Sequence, residues 1–309
     1  MKTRISFLLL AAGVLLASCS KNENEGGEGP VPGQPVAIRL SAGIDAAEAE
    51  SKASVTTSAT VRIEGWEGTA APNYATAASK WNSTSSVTVN STAAAITLSP
   101  VQYYNADGSI KTYIKGWYPA VASTSGTVTF TNNDGTVDVL YASEVSGSKS
   151  SVVSSPLVFK HKSVQLVFKV KRDASLAAGT KIKTIKVKNT AIPTSLALSS
   201  NTVSYTTKSE LAVPNVTVAE IGTTEAVAGQ PLMVRPEANL NSVKLYVETV
   251  KADGTTAAAT YDNVALTTSD NKLTEGSAYT ITLTFKQAGI SLKGNITPWT
   301  TATGTADVI

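Results

Sequence analysis

Tyr279-Thr280-Ile281-Thr282-Leu283-Thr284-Phe285 is the stretch from which the fold can be read. Its four apolar residues recur at every second position, with a threonine in each gap. In an extended backbone, successive side chains point to opposite faces, so Tyr279, Ile281, Leu283 and Phe285 share one side. A helix would scatter the same four around its axis. The period of two and the β-branched threonines predict a half-buried strand, with Thr280, Thr282 and Thr284 outward.

The same grammar extends in both directions. Residues 157–171 alternate Val164, Leu166, Phe168 and Val170 against Ser163, Gln165, Lys169 and Lys171. Further strand-like runs occupy 182–188, 196–205, 232–235, 243–250 and 290–296. Upstream, residues 60–66, 86–89, 96–98, 113–118, 127–131 and 137–141 are each bounded by Gly, Asn, Asp, Pro or Ser. Asp107-Gly108 and Asp134-Gly135 mark tight turns, because both residue types tolerate positive φ. Short strands at regular spacing with turn punctuation predict an all-β sandwich or barrel. A Ser-rich stretch, 143–155, ends at Pro156 and is the expected boundary between an N-terminal sandwich (36–156) and a C-terminal one (157–309).

The chain opens differently. Lys2 and Arg4 precede an apolar run over 5–16, followed by Ala17-Ser18-Cys19. That is the build of a secretory signal peptide, too short to span a bilayer, which takes about 20 residues. Leu16-Ala17-Ser18-Cys19 resembles a bacterial lipobox, in which the thiol of Cys19 receives diacylglycerol and becomes the new N-terminus after loss of residues 1–18. Several acyl chains hold a protein stably, at about 0.8 kcal/mol per buried CH₂, whereas one holds it marginally. The expectation is an outer-membrane lipoprotein, exposed at the surface and attached through acyl chains on Cys19. Residues 19–35 (CSKNENEGGEGPVPGQP) contain too little apolar surface to fold and read as a flexible tether.

Loss of Lys2 and Arg4 reduces the 26 basic residues to 24, against 23 acidic ones. That balance gives no electrostatic reason for a nucleic-acid partner. Cys19 is the one cysteine, so no intramolecular disulfide is available. Stability has to come from apolar burial. About 290 residues then remain, near the ~250–300 at which a single core stops growing.

The first structured segment is 36–44, where Val36, Ile38 and Leu40 alternate with Ala37, Arg39 and Ser41. A polar stretch over 45–54 follows and reads as an exposed loop containing Lys52.

Motifs for catalysis are not found. The sole histidine, His161, sits between Lys160 and Lys162 with no orienting carboxylate near it in sequence. One histidine and one lipidated cysteine cannot supply the three or four ligands of a zinc site. Asn132-Asn133-Asp134-Gly135 lacks the downstream acids of a calcium loop and reads as a turn. No nucleophile elbow, phosphate loop or dinucleotide fingerprint occurs. The chain is expected to be neither an enzyme nor a cofactor binder. Trp66, Trp81, Tyr103, Tyr104, Trp117 and Tyr118 cluster in the first half. Rings in strand patterns usually serve the core, and Trp81, with polar neighbours, is the candidate for stacking on a glycan.

The chain resembles the fimbrillin or Mfa-like family of type V pilus lipoproteins along nearly its whole length. The likeness rests on the lipobox at Cys19, the first strand and the basic residue of Ser51-Lys52-Ala53 after it. It continues through Tyr103-Tyr104-Asn105-Ala106-Asp107-Gly108-Ser109, Gly116-Trp117-Tyr118-Pro119-Ala120 and Pro156-Leu157-Val158-Phe159-Lys160-His161-Lys162. Tyr279 to Phe285 and Trp299 complete it. The resemblance implies two transthyretin-like β-sandwich domains and assembly by strand exchange. A protease cuts the loop after the first strand, that strand leaves, and a strand of the next fimbrial subunit fills the groove. Lys52 stands where the family usually has Arg. The alternative is a monomeric surface lipoprotein that binds a glycan or a host or bacterial surface ligand.

Overall fold

A computed structural model describes residues 34–45, 58–89, 93–131, 134–287 and 289–298, and every regular element among them is a strand. The first nine are β1 (Leu40–Ile44), β2 (Ser58–Gly68), β3 (Trp81–Thr88), β4 (Ala94–Ile96), β5 (Lys111–Tyr118), β6 (Ser123–Thr124), β7 (Thr127–Thr129), β8 (Leu140–Gly147) and β9 (Leu157–His161). Then come β10 (Val164–Arg172), β11 (Lys181–Thr190), β12 (Pro193–Ala197), β13 (Thr202–Tyr205), β14 (Ser209–Ala212), β15 (Ala219–Glu220) and β16 (Ala226–Val227). The last five are β17 (Leu232–Val234), β18 (Lys244–Val250), β19 (Ala257–Ala265), β20 (Ser277–Lys286) and β21 (Gly289–Pro298).

The alternating stretch from Tyr279 to Phe285 lies in β20, between parallel β10 and antiparallel β21. Tyr279, Ile281, Leu283 and Phe285 are fully buried, as the period of two predicts. They pack with Val164, Leu166, Phe168 and Val170 of β10 and with Ile185, Val187, Leu245 and Val247 from a second sheet, β14-β11-β18-β19. Two sheets sharing one apolar core make a sandwich. Thr282, expected outward, is buried instead. It is paired across the sheet with Lys169 on one side and Lys293 on the other, and lysine stems lie along such a surface and cover it.

The first half forms a seven-stranded sheet, β3-β2-β5-β8-β9-β1-β4. It curls around its own core. Buried Ser85 on edge strand β3 donates its hydroxyl to the Thr97 carbonyl at 2.9 Å, and the Ser83 hydroxyl accepts from the Ser99 amide at 3.1 Å. Both partners follow β4, the opposite edge, so the two edges meet. A small four-stranded sheet, β13-β12-β7-β6, covers the outer face, where Trp66, Trp117, Tyr141, Val128, Leu196 and Leu198 form a further apolar cluster.

Several boundaries differ from the sequence reading. The run over 157–171 breaks at Lys162-Ser163, and β9 pairs with β8 and β1 in the first sheet. The division expected after Pro156 therefore falls one strand early as far as sheet pairing goes. Strand β12 pairs with β7, which joins the two halves, and the residues from Pro35 onward cluster as one compact unit. Residues 196–205 are a hairpin rather than one strand, and β8 runs on to Gly147 inside the Ser-rich stretch.

Candidate strand-exchange site

The first strand is built into the middle of a sheet. On one side, Ala42, Gly43 and Ile44 of β1 pair in parallel with Leu157, Val158 and Phe159 of β9. On the other, Leu40, Ser41 and Ala42 pair antiparallel with Ile96, Ala95 and Ala94 of β4. The ladder continues toward the N-terminus: the Ile38 amide donates to the Gln102 carbonyl at 2.8 Å, and the Tyr104 amide donates to Val36 at 3.0 Å. It ends at Asp45, whose amide donates to the Phe159 carbonyl at 3.0 Å. Residues 36–45 are thus held by backbone bonds on both edges.

Burial follows the period of two. Ile38, Leu40, Ala42 and Ile44 are between 0% and 5% exposed, whereas Arg39 is exposed. They meet Ala59, Val61, Ile63, Ile114, Leu140, Leu157 and Phe159 inside the curled sheet. Fully burying three side chains of the size of Ile and Leu contributes roughly 5–9 kcal/mol. That is comparable to the whole net stability of an ordinary domain, about 5–15 kcal/mol. Without this strand, β9 would present an unpaired edge and β4 would lose the one strand it pairs with among the described residues. The vacated space would be a groove with a fixed sequence of seats: large, large, small, large.

Trp81, the candidate for glycan stacking, begins β3 and is 8% exposed within this same core. Its indole lies against Gly65, its partner on β2, so closely that a methyl group there would come within 2.2 Å of the ring. Stacking on a sugar would require the ring to leave the core. Cys19, Lys52, Trp299, Asn132 and Asn133 lie outside the described residues.

His161 has no carboxylate near it in sequence, but the fold brings one to it from 23 positions away. Asp138, on the segment entering β8, meets its Nδ1 at 2.8 Å, and both side chains are closed off from solvent. The pair bridges neighbouring strands and is a packing feature of the sheet. Sequence reasoning also missed Lys115, a lysine 3% exposed in the middle of β5, which lies between the two apolar clusters of the first half. An isolated lysine in a strand pattern ordinarily marks the solvent side, so nothing local distinguishes it.

A family model described as fimbrillin-like matches residues 55–299. No curated protein matches the chain. Among solved structures, a protein assigned to cell adhesion from Bacteroides uniformis ATCC 8492 aligns with a TM-score of 0.57 at 20% identity, covering 85% of this chain and 99% of that one. A second protein so assigned, from Bacteroides ovatus ATCC 8483, aligns with a TM-score of 0.52 at 17% identity, covering 89% and 99%. At such identities the likeness is one of fold.

Proposed function

This chain belongs to the fimbrillin-like family, and from that membership we propose that it is a structural or adhesive subunit of a cell-surface fimbria, exported as a lipoprotein through Cys19. Assembly proceeds by strand exchange. Proteolysis in the 46–57 connection, with Lys52 as the candidate cleavage residue, releases residues 36–45 together with the acylated N-terminus. A strand from another subunit then takes the vacated seats.

The observation that carries this reading is the position of β1: a strand near the chain start, paired on both edges and contributing a full alternating face to the core. Losing it exposes apolar surface and ladder groups together, and a supplied strand restores both. The chain also contains a second segment with the same seats. Ile290, Leu292, Gly294 and Ile296 repeat the spacing and the large-large-small-large order of Ile38, Leu40, Ala42 and Ile44. They belong to β21, the edge strand of its own sheet, which among the described residues pairs only with β20. Strand β21 of a second copy is therefore the supplied strand. Gly294 has a local reason as well, since a methyl there would come within 2.1 Å of the Thr267 carbonyl oxygen.

The test is to express the mature chain with a specific protease site placed at 50–53 and to cut it after folding. Cutting should release the 36–45 strand slowly and give linked oligomers that survive mild denaturant. A cut chain that stays monomeric, and stays as stable as the uncut form, overturns the assembly mechanism.

A further inference from the structure

Three polar groups, two from strands and one from a hairpin tip, converge under the small sheet that joins the halves of the chain. Lys115 projects from β5 away from the curled core. Its Nζ donates to the Leu198 carbonyl at 2.6 Å and to Oδ1 of Asn201 at 3.3 Å. Oε2 of Glu144 is 3.7 Å away. The ring of Tyr74 lies 4.0 Å from Nζ and that of Tyr141 5.9 Å. The Tyr74 hydroxyl donates to Glu144, which fixes the carboxylate in place.

The backbone is shaped for this meeting. The ladder between β5 and β8 shifts register here: Ile114 pairs with Val145 and Gly116 with Ala142, so Lys115 alone faces both Ser143 and Glu144. A bulge of this kind re-aims a side chain, and here the bulged strand carries Glu144. Asn201 sits at the tip of the β12–β13 hairpin with φ of 59°. Asn tolerates that left-handed conformation best after Gly. Its amide donates to the Ala197 carbonyl at 2.8 Å, which holds the tip over β5.

We propose that Lys115 and Asn201 form an intramolecular amide cross-link, with Glu144 carrying the protons. The amine of Lys115 bonds to Cγ of Asn201 and the bond from Cγ to Nδ2 breaks. Two protons pass from Nζ to the departing nitrogen through the carboxylate, one before attack and one during breakdown. Ammonium leaves, and the new amide nitrogen keeps one hydrogen. That hydrogen retains the bond to the Leu198 carbonyl. The step consumes a lysine ammonium and a primary amide and yields a secondary amide and an ammonium ion, so no oxidant, metal or co-reactant enters.

The surroundings favour the reaction. Burial pushes the Lys115 ammonium down from its ordinary value, against the opposing pull of Glu144, and this raises the fraction of neutral, nucleophilic amine. A nucleophile, an amide carbon one bond beyond a contacting oxygen, and a positioned base are already assembled, so the step is unimolecular. The bond closes a loop between positions 86 residues apart and ties the first half of the chain to the second. The one cysteine, Cys19, leaves no disulfide to serve that purpose.

Intact-mass measurement on the purified full chain, followed by proteolytic mapping, tests the assignment. The chain should weigh less than its sequence by one ammonia, and a branched peptide should join the Lys115 segment to the Asn201 segment. Asn201→Ala and Glu144→Gln should restore the full mass, and the wild-type chain should run faster than either on a denaturing gel. A wild-type chain at full mass after prolonged incubation, with Lys115 and Asn201 in separate linear peptides, overturns the proposal. So does an ammonia loss that maps to any other pair. Both results are read on the wild-type chain, so they hold even where a variant fails to fold.

Discussion

Asp138 and His161 stand 23 positions apart in sequence and meet through Oδ2 and Nδ1 at 2.8 Å, with side chains 0% and 2% exposed. The hydrogen bond spans the junction at which the chain leaves the first sheet, since Lys162 and Ser163 separate β9 from β10. The bond replaces part of the water that the two groups lose on burial, while Oδ1 of Asp138 is buried without a hydrogen-bond partner among the described residues.

Removing one partner should therefore be expensive. Asp138→Ala leaves Nδ1 of the buried imidazole without this acceptor, and the expected loss is about 1–3 kcal/mol. Combining it with His161→Phe, which removes the polar ring as well, should cost less than the sum of the two single changes. Urea denaturation of the three variants measures this. Strict additivity would show that the two residues do not act as a pair.

The Trp81 ring on Gly65 gives a second contrast. Gly65→Ala drives a methyl into the indole, an overpacking expected to cost roughly 1–3 kcal/mol. Trp81→Ala empties a large core seat and should cost about 3–5 kcal/mol. Both effects are on folding, so polysaccharide binding by whatever remains folded should not change. Lost binding with unchanged stability would place the ring at a ligand surface instead.

The first strand makes a graded prediction. Ile44→Ala removes a fully buried side chain and should cost about 2–5 kcal/mol, while exposed Arg39→Ala should stay within about 0.5 kcal/mol. Ala42→Leu overfills the small seat. It should destabilise the chain by roughly 1–3 kcal/mol and slow any strand exchange into that groove. Equal effects at 39 and 44 would contradict the alternating seating of the strand.

What could be read in advance depended on whether a residue's neighbours in sequence are also its neighbours in space. Ile38, Leu40 and Ile44, like Ile281, Leu283 and Phe285, declare their faces through period two, because one strand's alternation is a local property. Strand β19 (Ala257–Ala265) carries almost no alternation, because it is an edge strand with most of its residues exposed. The break at Lys162-Ser163 is hidden because strand-like residues resume directly after it, so 157–171 reads as one segment. Lys115, Glu144 and Asn201 were invisible for a different reason. Each is an ordinary polar residue in its own segment, and only the bulge in β8 and the crossing of β12 onto β7 bring them together. The seat order shared by 38–44 and 290–296 was present in the sequence, but it acquires meaning only once β1 is known to lie between two partners.

Three tyrosines predict an alkaline limit to stability. Tyr74, Tyr141 and Tyr205 are all raised well above the ordinary tyrosine value, in each case chiefly by burial. For Tyr74 the hydrogen bond to Glu144 and that residue's charge add to the effect, and for Tyr141 the charge of Glu144 adds. The folded state thus holds these protons more tightly than the unfolded chain does. As pH rises through the unfolded value, about 10, the unfolded chain releases its phenolic protons first and is favoured by mass action. The contribution is therefore fully present below pH about 10 and is lost progressively above it. A spectrophotometric titration, compared with Phe variants at 74, 141 and 205, reads these three groups. These three should ionise only together with unfolding, in one hysteretic step. Tyr74→Phe removes one such proton and, by leaving Glu144 without its donor, trades neutral-pH stability for a shallower alkaline decline. If all ten tyrosines titrate reversibly near pH 10 with the fold intact, their burial does not control the limit.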